Sequence, residues 1–380
     1  MIITRSINGV EVDIDTSKPN ELYFEEEFAS RLPSDGINDV LIQIYRNKPT
    51  YFPGSMLIEL TCKCNFRCEF CYIHSCEVQA NYVEKSFSEM KEDLNYLVQR
   101  GLLSCTITGG ECFIHPDFLE IYQFLKESGV IVTVLSNLSL LSQEHIDVFK
   151  KFPPFKVDVS LYGIDNEKMK STTSQNKYDS GSILKNILKL RDEGINVTCK
   201  TPINTLTKPE VEKIEAWCMA NKITYFSSPE IFENYDGMDM SCFSVGIDEI
   251  IEDRLDAARE KHGENLIAHG QKINFECKGG EYGFFISHDY KLRPCMPFYS
   301  IPRANFDIAQ LGIENAFEEM QKLIKRYKGT PLEGCSGCVA VNVCKECIIT
   351  QLRYNEIDLM SKMKEICLEN KEMLSTIESK

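Results

Sequence analysis

Between residues 56 and 228, apolar runs of six or seven residues alternate with longer stretches in which apolar positions recur every third or fourth residue. The runs MLIELT (56–61), LLSCTIT (102–108), VIVTVLS (130–136), FKVDVSL (155–161), INVTCKT (195–201) and ITYFSS (223–228) read as strands. The stretch EKSFSEMKEDLNYLVQRG carries Phe87, Met90, Leu94 and Leu97 at helical spacing and stops at Gly101. PDFLEIYQFLKESG is a helix opened by Pro116 and closed by Gly129. Further helices are predicted near 142–151, over SILKNILKLRDEG (182–194) and over KPEVEKIEAWCMANK (208–222). Six strand-then-helix units predict an α/β fold whose parallel sheet is joined by right-handed crossovers. Six are too few to close an eightfold barrel, so an open, partial barrel is expected. In such folds the chemistry sits at the C-terminal ends of the strands. The segments after the first two strands, 62–71 and 109–111, therefore belong side by side at one mouth.

The flanks read differently. Residues 1–50 form an appendage in which VEVDID alternates as a strand, ELYFEEEFASRL suggests a short helix, and PSDG marks a turn. The barrel pattern occupies 51–265, and a cysteine-rich part fills 266–380. A net charge of −15 argues against nucleic acid as the main partner, because a polyanion needs a basic surface. No stretch reaches membrane-spanning length, and MIITRSINGVEVDID lacks the apolar core of a secretion signal, so a cytoplasmic protein is expected. Seventeen cysteines in reducing cytosol point to metal binding rather than disulfides.

The stretch LTCKCNFRCEFCY (60–72) holds four cysteines. A zinc site takes four tetrahedral thiolates, usually as two separated C-x2-C pairs. Cys64, Cys68 and Cys71 instead form C-x3-C-x2-C, suited to an iron–sulfur cluster with one iron left open. Cys62 fits no second pair and reads as a packed small residue.

These residues resemble the radical SAM superfamily, whose C-x3-C-x-Φ-C motif is matched by Cys64, Cys68, Phe70 and Cys71. The resemblance implies a partial (β/α)6 barrel, a [4Fe–4S] cluster on the three cysteines, and S-adenosylmethionine bound at the open iron. TITGGEC (106–112) resembles the Gly-Gly-Glu segment that holds the cofactor's amino group, which assigns Gly109, Gly110 and Glu111 to it. Glycines suit a close backbone approach, and a carboxylate complements an ammonium. Cys112 stands where the family often has proline. SNL (136–138) and VSLYG (159–163) resemble segments that touch the cofactor's ribose and carboxylate, bringing in Asn137 and Ser160. A cation often follows the latter, and Lys170 and Lys177 are the two candidates. The implied chemistry is one-electron cleavage of the sulfonium to a 5′-deoxyadenosyl radical, which takes a hydrogen atom from the substrate.

The C-terminal cysteines resemble the SPASM extension of radical SAM enzymes: Cys277, then Cys295, then C-x2-C-x5-C-x2-C at 335, 338, 344 and 347, then Cys367. A zinc ribbon is the competing reading, but CVAVNVC is a short loop for one, and seven cysteines exceed one zinc site. The match departs in two places, with Tyr290 near the usual glycine and x2 in place of x3 before Cys347. The resemblance implies two auxiliary [4Fe–4S] clusters, one on Cys277, Cys295 and Cys347, the other on Cys335, Cys338, Cys344 and Cys367. The first then lacks a fourth ligand, leaving either Cys242 or an open iron that could take a substrate thiolate.

SPASM enzymes mostly modify peptides or proteins. The expected function is therefore a peptide maturase that forms a thioether or carbon–carbon crosslink in a ribosomal precursor, fed by a flavodoxin or ferredoxin. The alternative is an anaerobic sulfatase-maturating enzyme that makes formylglycine from Cys or Ser. A silent cluster-binding protein and a zinc scaffold are the readings from other classes. The remaining cysteines in regular elements, Cys105, Cys199 and Cys218, read as buried small hydrophobes, as does Cys76. Asp236 and Asp239 lie in an acidic loop near the domain junction and are candidate bases.

Overall fold

The computed structural model describes residues 1–7, 10–18, 22–24, 52–73, 84–175, 177–229, 231, 234–235, 240–246, 249 and 279–327. Within these, all six expected barrel strands form: β4 (Ser55–Glu59), β5 (Ser104–Thr108), β6 (Ile131–Ser136), β7 (Lys156–Ser160), β8 (Val197–Pro202) and β9 (Thr224–Ser228). They pair in parallel in chain order, with registers such as Leu57↔Thr106 and Ser160↔Lys200. The expected helices also form, as α1 (Phe87–Arg100), α2 (Phe118–Glu127), α3 (Gln143–Lys151), α5 (Ser180–Asp192) and α6 (Val211–Ala220). Helix α1 has the ends its sequence requires. Ser86 and Glu89 close a capping box, and Gly101 turns out of the helix at φ 112°. Its buried positions are Phe87, Met90, Leu94 and Leu97.

Helix α4 (Asn166–Thr173) has no counterpart in the sequence pattern. Its only buried side chains are Met169, Thr172 and Thr173, so it carries almost no apolar stripe. Period-two alternation decides what faces the barrel interior. On β7, Val157 and Val159 are fully buried, while Asp158 points the other way and pairs with Lys156 at 3.1 Å and Lys200 at 2.6 Å.

Two departures from expectation concern the flanks. The segment read as a helix over ELYFEEEFASRL begins instead with strand β3 (Leu22–Phe24), and the rest of it lies outside the described residues. Leu22–Phe24 pairs antiparallel with β2 (Val10–Asp15), which pairs with β1 (Ile2–Ile7), so a ladder partner overrides local helical preference. At the other end the sheet does not stop where the sequence pattern changes. Strand β10 (Gly283–Ile286) pairs in parallel with β4, and β11 (Lys291–Arg293) and β12 (Phe306–Asp307) extend the same sheet antiparallel. The nine-stranded order is β12-β11-β10-β4-β5-β6-β7-β8-β9. Helices α7 (Ile308–Leu311) and α8 (Ile313–Tyr327) follow, and α8 buries Ala316, Phe317, Met320 and Ile324 at helical spacing. Of the C-terminal cysteines only Cys295 falls among the described residues. No helix of the described residues is long and apolar enough to cross a membrane.

The small N-terminal sheet docks on the end of the barrel opposite the cysteine loop. Arg5 donates to the carbonyls of Val98 (2.6 Å) and Gly129 (3.1 Å), at the C-terminal ends of α1 and α2. A guanidinium there complements both helix dipoles. Beside it, burial pushes the Lys126 ammonium down from 10.5 to about 8, with Asp15 opposing the shift. The unfolded chain thus binds more protons than the fold between those values, so stability should rise as pH goes from about 8 to about 10.5. Below pH 8 the buried charge costs up to about 3 kcal/mol. Lys126→Met is expected to raise stability at pH 7 and to have little effect near pH 10.5; urea unfolding at the two pH values checks this.

Candidate active site

At the C-terminal ends of the barrel strands lies a cavity of about 400 Å³. It is lined by the loop after β4, with Cys64, Cys68, Phe70 and Cys71, and by Gly109, Gly110, Ser136, Asn137 and Ser160. The three motif cysteines therefore meet the other predicted residues across one space. Among the described residues, no three Cys, His, Asp or Glu side chains converge as ligands of a single metal ion do. The thiols are spread along the wall instead.

Two backbone hydrogen bonds bind the loops after β4 and β5 together: Gly110 N–H to Thr61 C=O (2.8 Å) and Glu111 N–H to Lys63 C=O (2.9 Å). They continue the β4–β5 pairing past the strand ends. The contact leaves no space for side chains. A Cβ on Gly110 would lie 2.4 Å from the Lys63 carbonyl oxygen, and one on Gly109, at φ +146°, would lie 2.5 Å from that of Thr61. The glycine pair thus seats the cysteine loop, a role beyond the approach to ligand that the sequence suggested.

Glu111 is fully buried and is not part of the cavity lining. Its carboxylate accepts from Ser136 Oγ (2.8 Å), Asn137 N–H (2.7 Å) and Phe113 N–H (3.2 Å). Burial raises its pKa while those donors lower it. In this geometry the side chain shapes the turn that presents Ser136 and Asn137. Asn137 in turn donates to Asn65 Oδ1 at 2.9 Å, and its Nδ2 lies 4.0 Å from Cys64 Sγ. Cys64 Sγ also accepts from Phe66 N–H at 3.3 Å.

Burial, with Glu111 and Cys71 adding to it, pushes the Cys64 thiol up to about 12, and burial with Cys71 and Cys64 raises the Cys68 thiol. Thiols that raise one another in this way resist ionisation unless a cation compensates them, and metal coordination supplies that compensation. Such donors, with amides aimed at sulfur and a dry wall, fit a thiolate-bound iron–sulfur cluster. Phe70 packs edge-on against Tyr162 with centroids 5.1 Å apart, closing the cavity behind the cysteines. Cys62 is fully buried, its thiol pushed up to about 11 by burial, as expected of a packed residue. Cys105, Cys199 and Cys218 are likewise buried.

Neither Lys170 nor Lys177 lines the cavity; Lys200 does, anchored by the buried Asp158. Its signal in the sequence is a lysine inside a strand otherwise built for burial, one ladder step from Ser160. Cys242 is exposed on the short turn Ser241–Phe243, whose Phe243 ring packs 6.5 Å from that of Phe70. In the C-terminal part, a Cβ on Gly279 would meet Cys295 Sγ at 3.6 Å. That is ordinary van der Waals contact, and it sets Gly279, two residues after Cys277, beside the sulfur. Cys277, Cys335, Cys338, Cys344, Cys347, Cys367, Asp236 and Asp239 lie outside the described residues.

Residues 58–218 match the model of the Radical SAM superfamily. The barrel is a radical SAM domain, and S-adenosylmethionine and a [4Fe–4S] cluster are the cofactors of that family. The chain is 33% identical over 146 residues to the antilisterial bacteriocin subtilosin biosynthesis protein AlbA of Bacillus subtilis, covering 38% of this chain and 32% of AlbA. It is 23% identical over 272 residues to the sporulation killing factor maturation protein SkfB of the same organism, covering 69% of this chain and 65% of SkfB. The chain thus spans less than two thirds of either relative. Among solved structures, Streptococcus suis SuiB superposes with a TM-score of 0.65 at 14% identity, over 93% of this chain and 95% of SuiB. The enzyme anSMEcpe with bound AdoMet gives 0.55 at 16% identity, over 77% and 88%. At these identities the likeness is one of fold.

Gly110→Ala forces apart the two loops that Thr61, Lys63 and Gly110 hold together. After anaerobic reconstitution it should lose most of the barrel's share of iron, about four per chain, while Gly246→Ala, at an exposed glycine whose Cβ would meet nothing nearer than 3.8 Å, should keep it. Iron and sulfide assays check this.

Proposed function

We propose that the chain is a radical SAM peptide maturase of the SPASM type, installing a thioether or carbon–carbon crosslink in a ribosomally made precursor. The observation that carries this is the single cavity joining Cys64, Cys68 and Cys71 to Gly109, Gly110, Asn137 and Ser160. Support for a peptide substrate comes from the relatives: one is named for subtilosin biosynthesis, one for killing-factor maturation, and a solved SuiB structure holds its precursor peptide SuiA.

In this reading Cys64, Cys68 and Cys71 hold the cluster. The backbone at Gly109 and Gly110, with the turn that Glu111 fixes, orients the amino end of S-adenosylmethionine. Asn137, Ser160 and Lys200 face its polar groups, with Lys200 taking the place of the cation first sought at Lys170 or Lys177. When bound, the pair supplies hydrogen-atom abstraction. Phe70 and Tyr162 keep water from the reacting space. Cys277, Cys295 and Cys347, and Cys335, Cys338, Cys344 and Cys367, hold two auxiliary clusters. An external flavodoxin or ferredoxin supplies the electron, in the cytoplasm. In this reading the N-terminal sheet, held by Arg5 at the barrel end away from the cavity, contributes to precursor binding from a distance. Formylglycine formation shares every one of these residues and is the alternative.

Anaerobically reconstituted protein should carry about twelve iron with matching sulfide, and Cys64→Ala/Cys68→Ala/Cys71→Ala should carry about four fewer. With dithionite and S-adenosylmethionine the parent protein should release 5′-deoxyadenosine and the triple variant none. No 5′-deoxyadenosine from the iron-loaded parent overturns the reading. Mass analysis of a candidate precursor before and after hydrazide treatment then separates the two activities: loss of two hydrogens with no hydrazone marks a crosslink, and a hydrazone at a former Cys or Ser marks formylglycine.

A further inference from the structure

The two ends of the cysteine loop are held by different parts of the molecule. Around Cys64 the partners come from the barrel, through Gly110, Glu111 and Asn137. Around Cys71 they come from the segment that leads out of the barrel. Asn234, itself buried, donates its Nδ2 to Cys71 C=O at 3.0 Å, and Tyr235 N–H donates to Tyr72 C=O at 2.8 Å. Tyr235 is fixed in turn at both ends of its side chain. Its hydroxyl donates to Glu59 Oε1 at 2.8 Å. Its ring lies flat on Tyr299, with centroids 3.5 Å apart and planes 8° apart.

Both anchors lead to the C-terminal extension. Glu59, the last residue of β4 and fully buried, accepts from His288 at Nδ1 (3.0 Å) and at the backbone N–H (3.3 Å). His288 sits in the turn between β10 and β11. Tyr299 sits in the short helical turn Met296–Ser300, whose N-terminal cap is Cys295. The Arg293 guanidinium, 4.4 Å above the Tyr299 ring, is buried and bonded to Ser287, Asn305 and Asp289. The Cys295 turn, the Tyr299 and Tyr235 rings and the backbone of Cys71 and Tyr72 thus form one packed, hydrogen-bonded path.

We propose that Tyr235 and Tyr299 are positioning residues that make the placement of the third barrel cysteine, Cys71, depend on the turn carrying Cys295. The inference rests on the assignment of those cysteines as cluster ligands. Neither tyrosine belongs to the cysteine motifs. A stacked pair transmits displacement because sliding or tilting it forfeits dispersion contacts over both faces, whereas the bonds to the Cys71 and Tyr72 carbonyls fix the ligand loop in a discrete place. The state of the Cys295 turn therefore reaches the cavity wall without any residue of the extension entering it.

The test uses the full-length, reconstituted protein and S-adenosylmethionine binding by equilibrium dialysis, with the EPR spectrum of the reduced barrel cluster. Tyr299→Ala is expected to weaken S-adenosylmethionine binding by about fivefold or more and to change the EPR spectrum, at unchanged iron content. Tyr299→Phe keeps the ring and should behave as the parent. Unchanged affinity and spectrum in folded Tyr299→Ala overturn the coupling while leaving the proposed function intact; a parent protein that binds no S-adenosylmethionine overturns both. If Tyr299→Ala does not fold, Tyr299→Leu, which keeps apolar bulk but removes the flat ring face, decides the matter on the same two readouts: a shifted EPR spectrum with weaker binding supports the coupling, and an unchanged spectrum and affinity overturn it.

Discussion

The site depends on a backbone contact that only glycine permits. Past the end of β4 the chain must both continue its ladder with β5 and turn to carry three cysteines. It does so by accepting amide hydrogens from Gly110 and Glu111 on the carbonyls of Thr61 and Lys63. These are backbone bonds in a buried setting, so leaving them unmade would strand two acceptors away from water. The glycine pair after the second strand is positioned from that seam, and through Glu111 so is the turn at Ser136–Asn137 that ends the third.

Polarity within the barrel is arranged in a comparable way. Asp158 is buried with a lysine on either side, one of which reaches the cavity. Glu59 is buried at the end of the first strand with tyrosine and histidine donors on its oxygens. Buried carboxylates of this kind are tolerable because each has donors at hydrogen-bond distance. Their positions, one toward β8 and one toward β10, also mark where the cavity meets the rest of the molecule.

How much of this was legible in the sequence follows from the range over which each interaction acts. The six strands and the apolar stripe of α1 with its Gly101 stop are local patterns, and each appears where the sequence puts it. The pairing of β10 with β4 joins residues more than two hundred positions apart through backbone bonds, which leave no mark on side-chain periodicity. Leu22–Phe24 was hidden for the same reason, since its ladder partner decides its state. Helix α4 lacks an apolar stripe, and Lys200 reaches the cavity from the strand paired with β7, not from the segment after β7 that holds Lys170 and Lys177. Glu111 was recognised by motif, but its inward orientation depends on Ser136 and Asn137, which a motif does not contain.

The cysteines outside the cluster set bear on how iron finds its place. Cys62, Cys105, Cys112, Cys199 and Cys218 are all buried in the folded barrel. Access rather than acidity sets them apart, because burial pushes the thiols of Cys62 and Cys112 upward and raises those of Cys64 and Cys68 as well. A folded barrel is thereby selective before any cluster arrives: the decoys are withdrawn, and Cys64 and Cys71 remain partly accessible at the cavity wall. Folding first and loading second is then the order that favours correct assembly, and mis-ligation becomes a hazard of the unfolded chain.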